Sequence, residues 1–217
     1  MVTRKLAVTL GVVLLLLSSG CAATQEEFRF ESSPATVSET ALSEAGYETA
    51  REAESLTVNR TVDAGGQERD VTVVNYASAY TRQVTVAGQN RTLAGAAVFT
   101  TPSISVVGQQ FNPVADQSNE QLVNRAQNRV EGQIDGGGID DLRLVENRTA
   151  TVLDTETTVG VFSGTTTVQG VEVELRILVT KVRHEGDFLI VAGAYPEALA
   201  GEERPRLETV FDSVDHE

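Results

Sequence analysis

"VEVELRILVTKVRHEGDFLIVAGAY", Val171 to Tyr195, carries the clearest structural signal in the chain. Val171, Val173, Leu175, Ile177 and Val179 alternate with Glu172, Glu174 and Arg176, the period of a strand with one face buried and one wet. His184-Glu185-Gly186-Asp187 is a polar tight turn, and Phe188 to Tyr195 is apolar throughout, as suits a central strand. Val168-Gln169-Gly170-Val171 supplies the hairpin turn before it. An antiparallel meander is therefore expected here.

The flanking segments add helices to this sheet. After Pro205, the spacing of Leu207, Val210, Phe211 and Val214 predicts a terminal helix that covers one sheet face. Upstream, Ser118 and Gln121 have capping-box spacing, and Leu122, Val123, Ala126 and Val130 form the expected buried stripe of a second helix closed by Gly132. Asp135-Gly136-Gly137-Gly138 follows as a loop or hinge. Ala94 to Val107 is extended but broken by Pro102, which points to an edge strand or a bulge.

Val71 to Tyr76 predicts a strand continuing toward Val86, preceded by an Ala64-Gly65-Gly66 turn and an extended run from Tyr47 to Asp63. Glu27 to Glu31 alternates as a half-buried strand. Ser33 and Pro34 suggest an N-cap and first helical position, with Val37, Ala41 and Ala45 on one face and a stop at Gly46, about three turns in all. The predicted class is α+β, an antiparallel sheet with helices packed on it, forming a single domain over residues 27–217.

Composition narrows the setting. The chain has 31 acidic residues against 17 basic ones, of which only Lys5 and Lys181 are lysines. Such an excess argues against nucleic acid as a partner, because that binding needs basic groups to neutralise phosphates. A hydrophobic fraction of 41% argues against disorder. A folded, strongly acidic protein suits concentrated salt, where the Debye length is about 3 Å at 1 M and carboxylate repulsion is screened. A halophilic source is the expectation.

Arg4 and Lys5 precede an uncharged stretch whose strongly apolar part, Leu6 to Leu17, is twelve residues long. A bilayer span takes about 20, so residues 1–20 are expected to form a signal peptide rather than a spanning helix. Leu17-Ser18-Ser19-Gly20-Cys21 resembles a lipobox, with Ser18 standing where leucine is usual. The sole cysteine, Cys21, becomes the lipid-bearing N-terminus, and residues 21–26 a short tether. Removing Arg4 and Lys5 leaves 15 basic residues against 31 acidic ones, a net charge of −16. The expected location is the outer face of the cell membrane, with the lipid on Cys21 as the membrane contact.

Candidate chemistry is sparse. Asn59, Asn90 and Asn147 each open an Asn-Arg-Thr sequon, a possible N-glycan acceptor in an exported chain. The only histidines, His184 in a predicted turn and His216 next to the end, are expected to be solvated surface groups, and no Gly-x-Ser-x-Gly elbow accompanies them. Asp135 to Asp141 has oxygen ligands and glycines but lacks the alternating acids of a calcium loop. No metal, no cofactor and no catalytic residue is predicted.

Val73 to Tyr80, "FTTPSISVVGQQFNPV" from Phe99 to Val114, and "VTKVRHEGDFLIVAGAYPE" from Val179 to Glu197 together resemble an uncharacterised family of haloarchaeal lipoproteins. The resemblance covers nearly the whole chain and implies an archaeal lipid on Cys21 and a high-salt habitat. It brings no activity with it. More distantly, the element order resembles the PsbP-like sandwich of photosystem accessory subunits and bacterial lipoproteins, a likeness of fold only. The leading expectation is a membrane-anchored, non-enzymatic accessory or binding domain whose protein or small-molecule partner is open. An envelope enzyme using carboxylates, or a passive structural component, are the alternatives.

Overall fold

A computed structural model describes residues 28–86, 89–106, 108–130, 138–168 and 170–217. Cys21, the signal segment, the tether, Gly132 and Asp135 lie outside the described residues. One large sheet dominates. Seven strands lie abreast in the order β3(Glu48–Ala64), β4(Gln67–Val86), β5(Gln89–Pro102), β11(Asp187–Pro196), β10(Val171–His184), β9(Thr155–Val168) and β8(Asp140–Val152). The eighth, β1(Phe28–Glu31), pairs parallel with Val71 to Val74 on the edge of β4 opposite β3; all other pairings in this sheet are antiparallel. Two short pairs complete the strands: β2(Ala35–Val37) with β12(Val214–His216), and β6(Ser105–Val106) with β7(Gln109–Gln110).

Among the described residues, three α-helices pack on this sheet: α1(Glu39–Ala45), α2(Asn119–Val130) and α3(Ala200–Asp212). The molecule is thus α+β but sheet-dominated. β11 does lie centrally, between β5 and β10. Gly65 and Gly66 turn β3 into β4 with both φ values positive, a conformation that glycine adopts without steric cost.

Four sequence expectations need correction. The first helix begins at Glu39 rather than after Ser33, because Ala35–Val37 is captured as a strand: Val37 pairs with Val214, and its N–H donates to the Tyr80 hydroxyl at 2.9 Å. Ser38 is the N-cap, accepting from Ala41 N, and Gly46 closes the helix at φ 72°. Pro102 is neither on an edge strand nor at a bulge; it is the last residue of interior strand β5, where the ladder needs no further donor. The terminal helix starts at Ala200 and contains Pro205, while Val214 has left it for β12. Val171 is 63% exposed, because the β9–β10 hairpin tip projects beyond the helix that covers its other end.

The two sheet faces are treated differently. On one, α1, α3 and β2 cover Tyr80, Val98, Leu178, Leu189 and Val191 in the main core. Here Leu207 of α3 sits directly on Gly193, whose missing side chain allows the close approach. The same interface buries Glu203, with an oxygen 2.9 Å from Arg82. Neither Glu203 oxygen is aligned to accept a hydrogen bond, and burial raises its pKa against the opposing pull of Arg82 and Arg206. On the other face, α2 rests on β9 and β10, with Leu122 and Val123 packed near Phe162, Ile177 and Val179.

Candidate functional site

Seven strands at about 4.8 Å spacing make a sheet roughly 29 Å wide. A helix of twelve residues is about 18 Å long and 10–12 Å thick, enough to cover two or three strands. Among the described residues, the part of this face over β4, β5 and β11 is consequently left as an open groove of about 570 Å³. Its floor is Val73, Asn75, Ala97, Phe99, Ile190 and Ala192; alternate residues of β3, from Leu56 to Val62, make one wall. The opposite wall is α2 with Ile139, and the segment from Phe111 to Val114 closes one end.

The groove is overwhelmingly apolar, and it places hydrophobic side chains in water. Leu56 and Val58 on its β3 rim are 42% and 39% exposed. Ala126, expected in the buried stripe of α2, is exposed and lines the groove, because none of the described residues covers it there. Cavities of this volume with a few convergent polar groups are the usual seats of small ligands.

Polar bonds hold its closed end in place. Buried Asn112 donates to Thr101 Oγ1 at 3.0 Å and to the Pro102 carbonyl at 2.6 Å, and accepts from Val114 N at 2.8 Å. Lys181 Nζ donates to the carbonyls of Val114, Ala115 and Gln117 at 2.9, 2.7 and 2.8 Å. Desolvation lowers the Lys181 pKa, opposed by Asp116. The reciprocal capping box then starts α2: Gln121 N donates to Ser118 Oγ at 3.3 Å and Ser118 N to Gln121 Oε1 at 2.9 Å. Lys181, Asn112 and the capping box thus fix where the helical wall stands.

The electrostatics are unlike those of the rest of the molecule. None of the described residues lining the groove is acidic, in a chain with 31 acidic residues, and two are arginines, Arg60 and Arg125. Neither guanidinium group has an ion pair or a hydrogen bond among the described residues. Most other arginines do, as in Arg176 with Glu174 and Glu197, and Arg148 with Glu208.

The predicted site residues lie elsewhere. Asn59 is exposed on edge strand β3, its Oδ1 accepting from Thr72 Oγ1 at 3.0 Å, and Asn147 is exposed on the other edge strand, β8. Asn90 is in β5 near its start. The histidines are not the solvated groups expected. His216 is buried, its Nε2 lies 3.3 Å from Asp187 Oδ2, and its Nδ1 lies 3.0 Å from His184 Nδ1. With a proton on Nε2, His216 donates to the Asp187 carboxylate. Ser33 N also donates to Asp187 at 2.8 Å, so this cluster clasps the two ends of the described fold together. Pairing of β12 with β2 brought His216 there, a contact with no local sequence signal.

Residues 34–215 match a family described as a domain of unknown function, DUF6517. The chain belongs to that family. The DUF6517 match includes every described element lining the groove, along with His184 and Asp187 of the clasp; it begins after β1 and ends one residue before His216. No curated protein matches the chain. Among solved structures it is similar to the solution structure of cyanobacterial PsbP (CyanoP) from Synechocystis sp. PCC 6803, at 10% identity and a TM-score of 0.38, covering 92% of this chain and 99% of that one. It is also similar to the protein of unknown function PA94 from Pseudomonas aeruginosa, described as a putative regulator, at 10% identity and a TM-score of 0.29, covering 68% of this chain and 89% of that one. The PsbP-like neighbour is distant, and neither likeness carries a functional argument.

Proposed function

We propose that this DUF6517 protein is a non-enzymatic binding domain that takes an apolar small molecule in the groove between α2 and β3. The observation that carries the reading is the groove itself: an apolar cavity of about 570 Å³, with no acidic residue among the described residues that line it, on an otherwise strongly acidic molecule. Burying apolar surface there would contribute about 0.8 kcal/mol for each methylene removed from water. On this reading the fold is a PsbP-like sandwich with one face left open for a ligand. Lipid on Cys21 of a haloarchaeal lipoprotein would hold it at the outer membrane surface. The pattern supporting that anchor is the short apolar segment ending in Ser19-Gly20-Cys21.

The neutral dye N-phenyl-1-naphthylamine tests the groove. Its fluorescence should rise on binding the purified domain, and Ala97→Trp, which puts an indole on the groove floor, should abolish the rise. Because the chain has no tryptophan, the new indole also reports its own burial without background. Dye binding unchanged by Ala97→Trp would refute the groove as the seat. The anchor is tested separately by membrane partition of Cys21→Ser; partition equal to wild type would refute lipid attachment there.

A further inference from the structure

We infer that the groove takes an amphiphile with a single anionic end, the apolar chain lying along the sheet and the anion held at the rim by Arg60 and Arg125. This rests on the groove being the ligand seat and adds the chemical class of what fills it. Three features of the structure carry it. The walls and floor are apolar over a length that a flexible chain would fill, and the margin at Leu56 and Val58 already exposes hydrocarbon to water. Arg60 comes from the β3 wall and Arg125 from the α2 wall, so two guanidinium groups flank one apolar channel.

The third feature is what these arginines do not do. Six other described arginines, Arg29, Arg51, Arg82, Arg148, Arg176 and Arg204, each pair with a carboxylate, and Arg69 and Arg206 donate to amide or carbonyl oxygens. Arg60 and Arg125 have no such partner among the described residues, and the described lining holds no carboxylate that would repel an incoming anion. Guanidinium groups match carboxylate and phosphate oxygens with charge-assisted, bidentate bonds. A neutral lipid would leave them unused. A cationic one would be repelled by them.

Dodecyl phosphate, dodecanol and dodecyltrimethylammonium, each below its aggregation limit, should be titrated calorimetrically against the whole chain without its signal segment. Dodecyl phosphate is expected to bind about tenfold or more tightly than dodecanol, as charge-assisted bonds at a partly exposed rim allow. The double variant Arg60→Gln/Arg125→Gln should bring the two affinities together by weakening dodecyl phosphate. Arg60→Lys/Arg125→Lys should keep most of the preference. Inorganic phosphate alone should not compete at millimolar concentration.

Equal affinity for the phosphate and the alcohol, tighter binding of the cation, or a preference that survives the double glutamine variant would each overturn the inference. Competition by inorganic phosphate at the same concentration as the amphiphile would replace it with a plain anion site. If Ala97→Trp leaves dodecyl phosphate and naphthylamine binding both unchanged, the groove reading itself fails, and the anion preference falls with it. Circular dichroism of each variant separates these outcomes from misfolding.

Discussion

Gly193 and Leu207 define a test of how α3 is seated on the sheet. A Cβ built on Gly193 would lie 2.5 and 2.6 Å from the two Leu207 methyl carbons, well inside contact distance. Gly193→Ala should therefore force the helix or the leucine to shift, at about 1–3 kcal/mol for overpacking. Leu207 is fully buried, so Leu207→Ala should cost about 2–5 kcal/mol through lost transfer energy and the cavity left behind. In the double variant the new methyl enters space the leucine has vacated. It recovers about 0.8 kcal/mol of burial, and replacing an interior strand glycine adds roughly 0.5–1 kcal/mol.

Gly193→Ala is thus expected to change sign, destabilising the wild type but stabilising Leu207→Ala. Simple addition predicts a double variant about 3–8 kcal/mol below wild type; the packing argument predicts one above the Leu207→Ala single variant. Urea denaturation of all four proteins at one fixed ionic strength closes the cycle. If Gly193→Ala costs the same in both backgrounds to within about 0.5 kcal/mol, the direct contact between these two residues is refuted.

Lys181→Met removes the donor from three carbonyls and should lower stability by about 1–3 kcal/mol. It should also weaken naphthylamine binding, since the α2 wall loses its anchor; unfolding midpoints and a dye titration check both. Glu203 has its pKa raised in the folded state, so the fold binds its proton more readily than the unfolded chain does. Its ionisation then subtracts stability as pH rises from the ordinary carboxylate value through the raised one. Relative to wild type, Glu203→Gln should therefore gain stability between acid and neutral pH, and a gap independent of pH in urea midpoints would contradict the desolvation argument. Finally, with the formal net charge of −14 on the chain unscreened, circular dichroism should show loss of structure on dialysis from molar to millimolar salt. An unchanged spectrum would count against a halophilic source.

Local signals in the chain were strong where a single segment sufficed. The alternation from Val171 to Val179, the His184–Asp187 turn, the Ser118–Gln121 capping box and the Gly46 stop are all set by residues within a few positions of one another. Val37 shows where such signals end: its helical spacing with Ala41 and Ala45 was genuine, but the Tyr80 hydroxyl and Val214, both distant in sequence, claimed it for a strand. His216 is the same case, an apparently loose terminal residue buried by strand pairing.

The sequence by itself determined the long strands β3, β4, β10 and β11 with the turns at Gly65–Gly66 and His184–Asp187, the acidic charge, and the pattern that points to a processed N-terminus with Cys21 at its head. Among the described residues, only the tertiary structure decided which sheet face received two helices and which received one, and so left the apolar groove open. Periodicity tells a residue that it belongs to one of two faces; it cannot say whether anything lies above that face. Arg60 of β3 and Arg125 of α2, distant in the chain, line one channel only because long-range packing brings them to its opposite walls.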